Sequence, residues 1–349
     1  MTALSLSLSL KPSKNGKMQA TIAICTWNRS QLLNRTLASV VGLDVAGVKG
    51  WEVLVVNNNC TDDSHRIIES YLPKLPLRVV DEPRQGKSYA LNSAIAHARG
   101  EFLLWTDDDV VVDPHWLRAH LECATTQPRC SFFGGPIEPC FDTPLPSWVV
   151  AGWSHLKPVY VDCDYGARPR SIDHTCLPYG ANLMVRTAVQ RRFPYRLDLG
   201  RIAAAQVRGE ETDVVRRMLA DGQHGYWVPA ARVRHMNTGE RLSLEYVRTY
   251  YEGIGLSESR WKRDAQRGWL DRLCRRSAMR LRWCVATARY SVAQRRSAEV
   301  DWNKQLVKAS YLKGRMNGFL KGEHGSEHQL SETSWLFKAR PPACSPTSL

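Results

Sequence analysis

Several features are missing from this sequence, and each absence removes a class of protein. None of its ten cysteines stands in a C-x-x-C pair. Cys123, Cys130, Cys140, Cys163 and Cys176 are irregularly spaced, which argues against a zinc module. No apolar run approaches the ~20 residues needed to span a bilayer. The nearest stretch, LRWCVATARYSVA from Leu281 to Ala293, carries two arginines and suits lying on a membrane better than crossing one. No G-x-G-x-x-G follows the first predicted strand, so a dinucleotide cofactor is disfavoured. The opening MTALSLSLSLKPSKNGKMQ lacks the basic start and apolar core of an export signal. Residues 1–18 are therefore expected to be a disordered tail, and the thiols to be reduced in a cytoplasmic protein.

Acids are scarce at one end. Between Arg260 and Arg296 twelve Lys/Arg face only Asp264 and Asp271. The formal net charge of +14 is thus largely a C-terminal property, and it favours an anionic partner. At 349 residues and 43% hydrophobic content, the chain has room for a large α/β domain and an appendage.

From Ala20 to Asp113 strand and helix patterns alternate. ATIAIC, WEVLVVN, LRVVDE and EFLLWT read as strands. SQLLNRTLASVV, TDDSHRIIESYL (capped by Thr61 or Asp62) and KSYALNSAIAHARG (stopped by Gly100) read as helices. Such repeats imply a parallel sheet whose ligands bind beyond the carboxyl ends of the strands. Those ends carry TWNR (Thr26 to Arg29), NNNC (Asn57 to Cys60), DEPRQGK (Asp81 to Lys87) and TDDD (Thr106 to Asp109). Residues 131–180 read as mixed strands and loops. GEETDVVRRMLADG (Gly209 to Gly222) reads as a helix with acids in its first turn, and YWVPAARVRH as a strand ending at His235. Beyond Leu242 the chain is helical, basic and Trp-rich. The expected divisions are 19–240, with halves 19–113 and 114–240, then a helical region 241–322 and a loose tail 323–349.

Asp107 and Asp109, two apart at a strand end, can turn toward one ligand while Asp108 points away or braces the loop. Two hard oxygen ligands suit Mg²⁺ or Mn²⁺. On this reading Asp108 is the member of the triplet expected to tolerate replacement best. Gly86-Lys87-Ser88 before a helix suggests a P-loop, but that pattern needs glycine where Asp81 stands.

In order and spacing, these motifs resemble family 2 glycosyltransferases of the GT-A fold: TWNR, VVNNNCTDDS, GKSYALNSAIAHARGEFLLWTDDD, GANLMVR, FPYRLDLG and GEETD, over roughly Gln19 to Tyr251. The resemblance implies a Rossmann-like, mostly parallel sheet flanked by helices, and an inverting transfer of a sugar from a nucleotide-diphospho-sugar to a hydroxyl. Asp107 and Asp109 would hold Mn²⁺ or Mg²⁺, with His235 as a third ligand. Thr26, Asn28, Arg29 and Asn57 would line the nucleotide pocket, and Arg84, Lys87 and Asn92 would face ribose or phosphate. Asn57 stands where many relatives carry aspartate. Glu211, or else Glu210, would be the catalytic base. Trp148, Trp153 and Tyr179 are candidates for stacking on sugar faces.

The implied donor is a UDP-sugar, with a GDP-sugar open. The implied acceptor is a saccharide or a lipid-linked saccharide in cell-surface polysaccharide or glycolipid synthesis. The basic helical region suggests an anionic membrane surface, hence a peripheral place on the inner face of the plasma membrane. Two other readings are weaker. A nucleotide-binding protein without transferase activity would not need both acid sets. A nucleic-acid binder using Trp261, Trp269 and Trp283 is disfavoured because the charge is confined to one end.

Overall fold

The computed structural model describes residues 18–200, 207–261, 269–295 and 299–320. The expected tails (Met18 excepted) and parts of the basic run lie outside the described residues. The strands are β1 (Ala20–Thr26), β2 (Trp51–Asn57), β3 (Leu77–Asp81), β4 (Phe102–Asp107), β5 (Val110–Val112), β6 (Cys130–Gly134), β7 (Ile137–Phe141), β8 (Arg170–Ile172), β9 (Leu183–Arg186), β10 (His224–Trp227) and β11 (Val233–Asn237). The main sheet runs β3-β2-β1-β4-β9-β6-β10-β8, and a small second sheet runs β5-β11-β7.

The first four strands in chain order pair in parallel. Their apolar runs are covered on both faces: Ile22, Ala23, Ile24 and Val53 to Val56 are wholly buried. This is why these strands read as continuous hydrophobic runs rather than alternating ones. Helices Ser30–Val41 and Lys87–His97 cover the sheet with Leu33, Leu37 and Val40, and with Leu91, Ala94 and Ile95. The register puts Cys25 beside Asp107, Thr26 beside Asn57 and Asn57 beside Asp81, so the strand tips end level on one edge. β9 enters antiparallel between β4 and β6, making the sheet mixed.

Local expectations shift in three places. Gly100 does not stop the preceding helix, which ends at His97 with Ala98 already extended. Its role is steric: a Cβ at Gly100 would lie 2.4 Å from the Ala20 carbonyl carbon, so glycine lets the chain pass β1. YWVPAARVRH is not one strand but parts of β10 and β11, which belong to different sheets; Pro229 lies in the turn that separates them. Asp62 serves two helix starts, accepting Ser64 N–H at 3.0 Å and Ser30 N–H at 2.9 Å.

Three C-terminal helices, Leu244–Trp261, Trp269–Arg295 and Glu299–Leu320, complete the fold. They share a core with the short helical segment around residues 147–160. There Val149, Leu156, Val159 and Tyr160 pack with Val247, Tyr251, Tyr290 and Leu306. The first and third of these helices touch backbone to backbone. A Cβ at Gly314 would lie 1.9 Å from Glu252 O, and one at Gly255 would lie 2.1 Å from Tyr311 O. Gly314→Leu must push the two helices apart. Its expected cost is about 1–3 kcal/mol, as for overpacked cores, read as a lowered Tm by calorimetry.

Candidate active site

A cavity of about 600 Å³ opens at the carboxyl ends of β1 and β4. The starts of helices Lys87–His97 and Glu210–Ala220 close one side, and Tyr246, Tyr250 and Ile254 of the first C-terminal helix form another. Thr26, Asn28, Arg29, Lys87, Asp107, Asp109, Tyr179, Glu210, Glu211 and His235 all line it, from segments that the sequence keeps far apart.

The three consecutive aspartates face three environments. The Asp107 side chain is 30% exposed, 3.4 Å from Lys87 Nζ. Asp108 is buried, accepting the Thr26 hydroxyl at 2.8 Å and Arg29 Nη1 at 3.0 Å. Burial pushes its carboxyl above the usual range, with Arg29 opposing and the Asp109 charge adding to the rise. Asp109 is also buried; its Oδ2 accepts Arg241 Nη2 at 2.5 Å and Arg29 Nη1 at 3.1 Å. Burial opposes its charge, but His235, Arg241 and Arg29 together hold its carboxyl well below the usual range. The expectation that Asp108 tolerates replacement best is therefore reversed. It is the brace that ties β1 and Arg29 to β4, and its loss would leave the Thr26 hydroxyl buried without this acceptor.

Asp107, Asp109 and His235 can each offer an atom to one centre, with those atoms all within 4.8 Å of one another. Asp109 Oδ1 is buried without a hydrogen bond, 3.2 Å from His235 Nε2. A carboxylate oxygen facing an imidazole nitrogen at that distance calls for a proton or a cation between them. Two carboxylates and an imidazole are a donor set suited to a divalent ion such as Mn²⁺.

Across the cavity, Gly209 at φ 94° turns the chain into helix Glu210–Ala220, whose first turn carries the acids. Lys87 Nζ lies 2.5 Å from Glu211 Oε1 and 3.4 Å from Glu210 Oε1, so one ammonium joins this pair to Asp107. Burial and the Glu210 charge push the Glu211 carboxyl up, with Lys87 opposing. Burial works against the Lys87 charge, yet the surrounding carboxylates hold its pKa well above the ordinary value. A Cβ at Gly180 would fall 2.5 Å from Glu211 Cγ, so glycine there leaves room for this carboxylate.

Not every expected residue reaches the cavity. Arg84 turns to Glu82, with Nε 2.8 Å from Oε1, and lies over the Tyr89 ring. Asn92 clamps Tyr195, bonding both its N–H and its C=O at 2.8 Å. Asn57 donates to Asp81 Oδ1 at 2.8 Å and does not line the cavity. Its neighbour Asn58 does, while holding the 82–86 loop through Arg84 O and Gly86 N. Trp153 stacks on Tyr160 and Trp148 packs on Trp302, so both serve as packing residues.

The structure adds Arg241, Tyr246 and Tyr250 to the site. Arg241 is buried and also bonds Asn237 Oδ1 at 3.1 Å. Its only signal in the sequence is its place six residues after His235, which no spacing rule marks.

Comparison with known proteins fits this geometry. Residues 21–156 match the family described as Glycosyl transferase family 2. Residues 21–156 are a glycosyltransferase family 2 domain. Among relatives of this glycosyltransferase, the succinoglycan biosynthesis protein ExoM of Rhizobium meliloti is 27% identical over 240 residues, 67% of this chain and 72% of ExoM. The poly-beta-1,6-N-acetyl-D-glucosamine synthase of Staphylococcus epidermidis is 30% identical over 91 residues, 26% of this chain and 21% of that protein. The mannosyltransferase PcManGT of Pyrobaculum calidifontis, solved with GDP-Man and Mn²⁺, superposes with a TM-score of 0.56 at 16% identity. The match covers 87% of this chain and 89% of that one. The fold is GT-A, a mixed and mostly parallel sheet flanked by helices.

Arg241→Met removes one of the cations on a buried carboxylate. Breaking such a pair costs about 3–5 kcal/mol in general. With Arg29 still present the loss should fall near the lower end, read by urea unfolding.

Proposed function

We propose that this glycosyltransferase inverts the anomeric centre as it moves a sugar from a nucleoside-diphospho-sugar to a hydroxyl of a saccharide or lipid-linked saccharide, in cell-surface polysaccharide synthesis. The observation that carries the reading is the opposition of two acid sets across one cavity: Asp107, Asp109 and His235 on one side, Glu210 and Glu211 on the other. ExoM, named for succinoglycan synthesis, supports the product class. PcManGT, a neighbour in fold, was solved with GDP-Man, which supports a nucleoside-diphospho-sugar as the donor class; the UDP-sugar favoured here follows from the sequence resemblance alone.

Asp107, Asp109 and His235 would hold Mn²⁺ or Mg²⁺. That ion, when bound, supplies Lewis-acid neutralisation of a leaving diphosphate. The chain's own groups do the rest. Arg29 and Lys87 line the same edge and bring positive charge to phosphate oxygens. Thr26, Asn28 and Asn58 line the adjoining part of the cavity, where a nucleoside would lie.

Glu211 is the proposed base. Its side chain is 17% exposed against 4% for Glu210, so it reaches the cavity more openly. A carboxylate whose pKa is raised takes a hydroxyl proton more readily than an ordinary glutamate. A phosphate-bearing donor that draws Lys87 toward itself frees this oxygen, so donor binding prepares the base. Tyr179, Tyr246 and Tyr250 line the side where the acceptor would lie, with the Arg208 guanidinium over the Tyr246 and Tyr250 rings. This reading puts the protein at the inner face of the plasma membrane, at its periphery, where lipid-linked acceptors are presented.

Glu211→Gln is expected to reduce turnover by about 10²–10⁴-fold, the usual range for general base catalysis. Donor binding, followed by calorimetry, should be largely kept. Unchanged turnover in both Glu211→Gln and Glu210→Gln removes the base assignment. Exhaustive chelation should abolish sugar transfer and Mn²⁺ or Mg²⁺ should restore it; transfer that survives chelation removes the metal role.

A further inference from the structure

Helix Trp269–Arg295 has two apolar faces, and the fold uses one. Met279, Ala286 and Tyr290 are buried, with Trp283 partly so, against the neighbouring helices. On the other side Leu281 is 66% exposed, Val285 43% and Val292 49%. At 3.6 residues per turn these three positions fall within roughly 40° of one another, nearly opposite the buried row. Ala278 and Ala288 extend the same stripe and are exposed. Three large aliphatic side chains aligned on the outer face of a packed helix form a patch, not the scattered exposure of an ordinary surface.

The charges beside the stripe indicate what meets it. Arg282 and Arg289 flank it on one side, and Arg280 and Arg295 lie on the other; all four are exposed. No acid occurs from Ser277 to Arg295. An apolar ridge between rows of arginine is the pattern of a helix lying in a bilayer interface: the aliphatic tips enter the acyl boundary and the guanidinium groups reach anionic headgroups. No helix among the described residues is long and apolar enough to cross a membrane, so contact by this face would be peripheral.

We propose that the outer face of helix Trp269–Arg295, with Leu281, Val285 and Val292 as its apolar contacts and Arg280, Arg282, Arg289 and Arg295 as its charges, docks the protein on an anionic phospholipid surface. The inference rests on the transferase reading only for its purpose, the presentation of a lipid-linked acceptor. Placement supports that purpose. The docking helix packs on helix Glu299–Leu320, which in turn packs on helix Leu244–Trp261, and Arg248 Nη2 of the latter reaches the Tyr290 hydroxyl at 3.3 Å. Helix Leu244–Trp261 turns Tyr246, Tyr250 and Ile254 into the cavity. The proposed lipid face thus belongs to the same group of C-terminal helices that closes this side of the cavity.

The test is flotation of the full chain with vesicles of phosphatidylcholine alone or mixed with phosphatidylglycerol. The expected result is binding to the mixed vesicles only, weakened by salt. Single changes Arg282→Gln and Arg289→Gln should each weaken it by about fivefold, the usual share of one basic residue at such a surface. The triple change Leu281→Ser, Val285→Ser, Val292→Ser alters exposed positions only. It should abolish flotation while leaving donor-induced thermal stabilisation as in the unaltered protein.

No binding, equal binding to neutral vesicles, or flotation unchanged in the triple variant would overturn the proposal. So would a dimer seen by light scattering that the triple variant dissolves, or preferred binding to an oligonucleotide. Loss of transfer in Glu211→Gln with no flotation removes the docking alone; flotation with normal transfer in both glutamate variants removes the base assignment alone.

Discussion

The site depends on keeping three adjacent carboxylates at the end of a buried strand. Isolated buried charge is among the costliest things a fold can hold. The chain meets the cost with cations drawn from distant segments: Arg29 after β1, Lys87 at a helix start, and Arg241 beyond β11. Each aspartate receives a different share of that charge. Asp108 is fully engaged with Thr26 and Arg29 and acts as structure. Asp107 stays partly open, and Asp109 keeps one oxygen turned toward His235. Function follows from what this arrangement leaves unsatisfied.

The cations do a second job. Lys87 touches acids of both sets, so the two sides of the cavity are electrostatically joined across a gap that a substrate must enter. Arg29 likewise spans Asp108 and Asp109, linking the brace to the proposed metal ligand. A phosphate-bearing molecule entering this network does not meet bare charge. It exchanges partners with groups already held in place, which lowers the reorganisation demanded during reaction.

Much of the nucleotide-binding half could be read from the sequence because its signals are local. Continuous apolar runs gave β1, β2 and β4, and in a parallel sheet polar tips of successive strands must meet at one edge. Thr26, Arg29, Lys87, Asp107 and Asp109 were found that way, and the glutamate pair by its place at a helix start. The misses share a physical cause. Asn57 and Asn58 differ by one position, and which of them turns into the cavity depends on the pairing of Asn57 with Asp81 across strands. Arg84 and Asn92 carry suitable chemistry, but Glu82 and Tyr195 capture them first. Arg241 and the two tyrosines reach the site through packing of the C-terminal helices, and no motif spacing encodes that.

The bond between Arg241 and Asp109 joins residues 132 positions apart, and the one between Lys87 and Glu211 spans 124. A ribosome delivers the acids of β4 long before it delivers Arg241. Until then Arg241, one of the two guanidinium partners of Asp109, is missing. A product cut short before residue 241 would keep Asp107 to Asp109 with Arg29 and Lys87 but would lack Arg241, the second guanidinium on Asp109.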